Sequence, residues 1–145
     1  MTFPENISHE EINHLPLKRF EGEIIMIDSN HQINAALRYL SCQSVLGFDT
    51  ETKPSFKKGR KNNNQVALLQ LSSTDKAFLF RINVIGLPIK LIKVLENKKI
   101  KKVGVAIGDD IKSLQKIKAF QADGFIELAD YSKAFNIESN GLRKL

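Results

Sequence analysis

The spacing of apolar positions changes several times along the chain, and each change predicts an element. Ser8 with Glu11 three residues on is a capping-box pattern, which predicts a short helix over 8–14 that Pro16 ends. Residues 23–27 read as a strand. From about Ser29 to Leu40 the apolar residues Ile33, Ala36, Leu37 and Leu40 fall at i, i+3, i+4 and i+7, the stripe of an amphipathic helix. Residues 45–50 form an apolar strand that ends in acids. Residues 66–71 and 76–80 are apolar runs joined by Ser72-Ser73-Thr74-Asp75, a predicted hairpin. A helix over 88–96 follows, with Pro88 suited to its first turn and Leu91, Ile92 and Leu95 inward. The remaining expectations are a strand at 101–105, a helix from Asp109 or Asp110 to about Lys118, a strand at 125–129 and a helical turn at 131–135. Residues 141–145 resemble the opening of a further helix.

A hairpin followed by alternating helices and strands indicates one α/β domain with a mixed sheet whose first strands are antiparallel. Charge adds a weak pointer. Lys and Arg outnumber Asp and Glu by 22 to 16, a net +6, which favours an anionic partner. The lone Cys42 has no disulfide partner within the chain and reads as a small buried residue in a reducing compartment. No segment approaches a signal peptide or a membrane span, so a cytoplasmic protein is expected. His9 and His14 are five apart, not the four that would set two ligands on one helical face, so they read as surface residues.

Against this background Val45-Leu46-Gly47-Phe48-Asp49-Thr50-Glu51-Thr52 stands out. In a strand, Asp49 and Glu51 project to one face about 6.6 Å apart, while Thr50 turns away. Two acids so placed can share a divalent cation; a polar turn after a core strand is the ordinary alternative. A second acidic point, Asp109-Asp110, follows Val103-Gly104-Val105-Ala106-Ile107-Gly108 at a strand-to-helix junction, where helix capping competes with metal binding. No G-x-G-x-x-G follows the first strand and no Gly-Lys-Ser/Thr follows the glycines, which argues against a nucleotide cradle. Oxygen ligands converging from separate elements would select Mg²⁺ or Mn²⁺.

Phe48-Asp49-Thr50-Glu51, then Gln65-Val66-Ala67-Leu68-Leu69-Gln70-Leu71, then Lys102-Val103-Gly104-Val105 through Asp110 and Leu114 resemble, in order and spacing, the DEDD superfamily of 3'-5' exonucleases, in its ribonuclease D and Werner-type branch. The likeness spans roughly residues 20–145. It implies a ribonuclease H-like fold and phosphodiester hydrolysis at two metal ions. It also implies that Asp49 bridges both ions, Glu51 binds the one that activates water, and Asp110 serves the other, with Asp109 as the register alternative. The expected partner is the single-stranded 3' end of DNA or RNA. Thr50, Gln65 and the cationic run Lys53, Lys57, Lys58, Arg60 and Lys61 would lie along it, although a basic loop can also be merely solubilising.

The resemblance has a gap. A Tyr or His followed four residues later by a further Asp, expected on a C-terminal helix, has no counterpart; Asp130 and Tyr131 are adjacent and come too early. The expected organisation is an N-terminal helical extension over 1–20 and a partial exonuclease domain over 21–145 that lacks its C-terminal helices. Hydrolysis by this chain alone is then expected to be weak or absent. The competing expectation is a non-catalytic nucleic-acid-binding or protein-interaction module on the same fold; a metal-dependent phosphatase is a third.

Overall fold

The computed structural model describes residues 3–52, 65–138 and 141. The first helix, α1 (His9–His14), carries both capping-box bonds: Glu11 N donates to Ser8 Oγ at 3.1 Å and Ser8 N donates to Glu11 Oε2 at 2.8 Å. None of its residues is buried, and His9 and His14 lie on the surface as expected. After it come β1 (Glu23–Ile27), α2 (Asn30–Leu40), β2 (Val45–Thr52), β3 (Val66–Ser72), β4 (Lys76–Phe80), α3 (Ile82–Ile85), α4 (Ile89–Leu95), β5 (Lys101–Gly104), α5 (Gly108–Ile117), β6 (Phe125–Glu127) and α6 (Leu128–Lys133). The short α3 and the extension of β2 to Thr52 are the main additions to the sequence reading.

The six strands lie in the order β1-β4-β3-β2-β5-β6. The stretch β2-β3-β4 is antiparallel, while β1 joins β4, β5 joins β2 and β6 joins β5 in parallel. Every strand except β3 therefore runs one way. The three parallel crossovers, β1 to β2, β4 to β5 and β5 to β6, all advance toward the same edge. Since such crossovers are right-handed, all three place their helices on the same side of the sheet. The core agrees. A single cluster joins Ile33, Leu37 and Leu40 of α2, Leu91 and Leu95 of α4 and Leu114 of α5 to Ile27, Leu46, Phe48, Leu69, Leu71, Phe78 and Phe80 of the strands. The alternate strand positions face the other way, and there Ile24, Met26 and Val45 remain exposed by 63%, 44% and 54%.

One residue departs from expectation. Cys42 is exposed, because it falls in the turn after Leu40, past the last inward position of α2. In the lysine-rich run 98–102 the strand alternation leaves Lys101 exposed, while Lys102 is fully buried. Its place in β5 is opposite Leu46 of β2 and Phe125 of β6, so the alternation of the strand directs it into the helix-covered side. Its ammonium is satisfied by the carbonyls of Asn97 and Ile100, both at 2.8 Å, and lies 5.1 Å from the centre of the Phe125 ring.

Burial, the largest influence, lowers the Lys102 pKa to about 8 against an ordinary 10.5, with Asp123 opposing. Between those values the unfolded chain holds a proton that the folded chain has released, so this group makes stability rise with pH across about 8 to 10.5 and contributes no slope below. Chemical denaturation of wild type and Lys102→Met over that window should show this rise in the wild type and its loss in the variant. Parallel pH profiles for the two proteins would refute the assignment.

Candidate functional site

The acids of β2 follow from its period. Leu46, Phe48 and Thr50 point toward the helices, so Gly47, Asp49 and Glu51 must point toward the open side. Asp49 sits opposite Gln70 of β3, and Glu51 opposite Leu68. Register slips directly afterwards, between Glu51 and Thr52. Both carboxylates are exposed, and neither forms an ion pair with a described residue. Among the described residues the Asp49 carboxylate accepts only from the adjacent Thr50 N–H, at 2.9 Å.

The β5–α5 junction brings the third acid to the same end of the sheet. A Cβ at Gly104 would lie 2.5 Å from the Phe48 carbonyl oxygen and 2.5 Å from Ile107 Cγ2, so only glycine permits this approach of the two strands and the turn. The left-handed residue of the turn is Ala106, at φ 57°, rather than either glycine. Such a conformation is unfavourable for a residue with a side chain. Glu127 of β6 offsets that cost, its carboxylate accepting from Ala106 N at 3.0 Å and Ile107 N at 2.9 Å. The two amides just before α5 are thus held by a distant carboxylate, and the N-cap of the helix is Ile107, not Asp109 or Asp110.

Asp109 projects into solvent and pairs with Lys112 at 3.2 Å, whereas Asp110 turns inward and accepts from the Thr50 hydroxyl at 2.5 Å. This difference favours Asp110 over Asp109 as the acid belonging to the site. Burial raises the Asp110 pKa, the Thr50 hydrogen bond pulls it down, and Asp49, Asp109 and Glu127 each raise it further. The two faces of β2 are therefore both in use: Asp49 and Glu51 on the open side, and Thr50 gripping Asp110 on the other.

Of the residues expected from sequence, Asp49, Glu51, Thr50 and Asp110 gather at one end of β2, and Gln65 is exposed just before β3. Lys53, Lys57, Lys58, Arg60 and Lys61 lie outside the described residues, as do Leu142 to Leu145 of the expected last helix. Among the described residues no three His, Cys, Asp or Glu side chains stand close enough together to hold an ion. Asp130 and Tyr131 serve locally, as expected: Asp130 pairs with Lys133 at 2.7 Å and the Tyr131 ring packs on Phe135. Glu127 was not singled out from sequence. Its signal was present, a lone carboxylate inside the apolar run Phe125-Ile126-Glu127-Leu128.

The donor set suits a hard divalent cation in chemistry: oxygens only, open to solvent, with no described cation neutralising the Asp49–Glu51 pair. Asp110 stands beside that pair, closely enough for Asp49 to affect its ionisation.

Residues 24–145 match the model of the 3'-5' exonuclease family. The mouse (Mus musculus) bifunctional 3'-5' exonuclease/ATP-dependent helicase WRN is 35% identical over 124 residues, covering 81% of this chain and 9% of that protein. Among solved structures, the EXO domain of Aedes aegypti Nibbler superposes with a TM-score of 0.68 at 25% identity, covering 81% of this chain and 58% of that one. The EXD2 exonuclease domain soaked in Mg and GMP superposes with a TM-score of 0.64 at 25% identity, covering 78% and 60%. The chain thus spans a small part of its curated relative and about three-fifths of each solved domain.

Two substitutions probe this geometry. Thr50→Val removes the one influence that lowers the Asp110 pKa, so a carboxyl NMR titration of the metal-free protein should find Asp110 titrating at higher pH than in wild type; an unchanged or lower value would deny the hydrogen bond. Gly104→Ala forces the β5–α5 junction apart and should destabilise the fold by about 1–3 kcal/mol in denaturant titrations, whereas a neutral result would mean that the approach at Phe48 is not tight.

Proposed function

Since this chain belongs to the 3'-5' exonuclease family, we propose that the Asp49–Glu51 pair, with Asp110 beside it, is its hydrolytic site and acts on the 3' end of a single-stranded DNA or RNA. The observation that carries the proposal is a pair of carboxylates, with no described cation paired to them, projecting together from the end of a central strand. Mg²⁺ or Mn²⁺ is the proposed cofactor, held by Asp49 and Glu51 with Asp110 as the third acid; the Mg and GMP used with the EXD2 domain support both the cation class and a nucleotide in such a site. Bound there, a divalent cation supplies charge stabilisation to the phosphodiester oxygens and lowers the pKa of an attacking water.

The protein's own residues set the geometry for that chemistry. Asp49 and Glu51 fix a doubly negative point that an uncomplexed phosphate would avoid, so the site is closed to nucleic acid until neutralised. Thr50 positions Asp110 from the opposite side of the strand. Gln70, facing Asp49 across the antiparallel pair, offers an amide that can both donate and accept beside the acids. The cationic run from Lys53 to Lys61 follows β2 in sequence, and we assign it the phosphates upstream of the terminal nucleotide.

Because no third acid among the described residues joins the pair at ion-binding distance, we propose that hydrolysis by this chain alone is slow. The same observation favours a second reading, in which the chain binds nucleic acid without cutting it. Both are decided by incubating a 5'-labelled single-stranded oligonucleotide with the purified chain and Mg²⁺ or Mn²⁺. Slow stepwise shortening from the 3' end, stopped by a chelator and reduced on the order of 100-fold or more by Asp49→Ala, is expected. Binding with no shortening under any of these metals would support the non-catalytic module. Shortening that survives Asp49→Ala would remove the acid pair from the mechanism.

A further inference from the structure

On the helix-covered side, remote from Asp49 and Glu51, α2 and α4 run beside each other and leave a groove of about 620 Å³ between them. Its walls carry Asn34 and Arg38 of α2 with Ser41 just past its end, and Lys90 and Lys93 of α4 with Asn97 just past its end. Along α2 and its end these residues recur at i, i+4 and i+7, and along α4 and its end at i, i+3 and i+7, so each set forms a stripe next to the stripe that enters the core. The floor, Leu37 and Val94, is buried and apolar.

The charge of this groove is unusual for the molecule. Neither α2 nor α4 contains an acidic residue, and no acid lines the groove. Elsewhere Lys112 and Lys133 have partners three residues away, Asp109 and Asp130, whereas Arg38, Lys90 and Lys93, like Lys116 of α5, have no described carboxylate partner. Arg38 and Lys93 stand in the last turns of their helices, where the macrodipole favours a cation. That explanation fails for Lys90, which lies in the first turn of α4, the disfavoured end. Its ammonium reaches across the groove to Asn34 Oδ1 at 2.8 Å, so the cation is held over the groove by a neutral acceptor.

Three convergent cations, two amides and a hydroxyl match the oxygens of successive phosphates. No aromatic ring lines the groove for a base to stack on. We propose that this α2–α4 groove is a second nucleic-acid contact, which grips the phosphodiester backbone without reading its sequence and tethers a strand or duplex whose 3' end is processed on the opposite side of the sheet. The inference rests on the nucleic-acid reading above for its ligand, and on a separate surface for its evidence.

Its test is the salt dependence of binding. Arg38→Gln/Lys90→Gln/Lys93→Gln removes the charges while keeping good helix formers, and a thermal melt confirms that the variant folds. Affinities for a long single-stranded RNA, the matching DNA and their duplex are measured by fluorescence anisotropy over a range of NaCl. For single strands the slope of log affinity against log salt should fall by about 2 in the triple variant, at roughly 0.7 for each phosphate no longer neutralised, with binding at least about tenfold weaker at low salt. Lys133→Gln, a charge removed from α6 outside both sites, should keep the wild-type slope. Equal slopes for wild type and the groove variant would overturn the groove while leaving the acid site standing. Polyglutamate binding as tightly as nucleic acid would assign the groove to acidic polypeptides and also overturn it. Failure of the wild-type chain to bind any nucleic acid would overturn both readings.

Discussion

Parallel strands that accept only right-handed crossovers, and crossovers that all advance toward one edge, leave the helices of this domain no choice of side. From that constraint come the single hydrophobic cluster, the inward set of alternate strand positions and the apolar residues left exposed on the far side. The position of the chemistry follows as well. Carboxylates at Asp49 and Glu51 are tolerable because their strand positions face solvent; an acid at Phe48 would be driven into the core, at a desolvation cost that the available partners do not meet.

The junction between β5 and α5 shows how a polar group is made tolerable in the closed half of the molecule. The turn is strained at Ala106 and crowded at Gly104, and its free amides receive the Glu127 carboxylate. Asp110, inside the first turn rather than at the cap, is bonded instead to Thr50. Lys102 is the cationic counterpart one strand away, buried but supplied with two carbonyls and an aromatic face. Burial shifts both groups toward their neutral forms, Asp110 upward and Lys102 downward, as a low-dielectric interior requires.

Much of this was legible in the sequence because it is periodic. The stripe of α2, the capping box of α1 and the alternation that turns Asp49 and Glu51 together each depend on neighbours within a few residues, and all appear in the structure. The acid pair and Asp110 were legible as candidates through spacing and family resemblance. What sequence did not disclose depends on partners far along the chain. Thr50 meets Asp110 across 60 positions and Glu127 meets Ala106 across 21, and neither separation leaves a local pattern. Lys102 was not singled out because a run of lysines does not say which of them points inward until a strand register fixes it. Cys42 was misread for the converse reason, a small residue just beyond the end of a helical stripe.

The alternation of β2 has a meaning for descent as well as for structure. Leu46 and Phe48 answer to the volume of the core, while Asp49 and Glu51 face solvent and do not. One short segment therefore carries two interleaved histories, each written on every second residue. A lineage can exchange its ligand by rewriting one without disturbing the other. Thr50 is the exception: pointing inward with the core set but bonded to Asp110, it is the position at which the two histories cannot diverge freely.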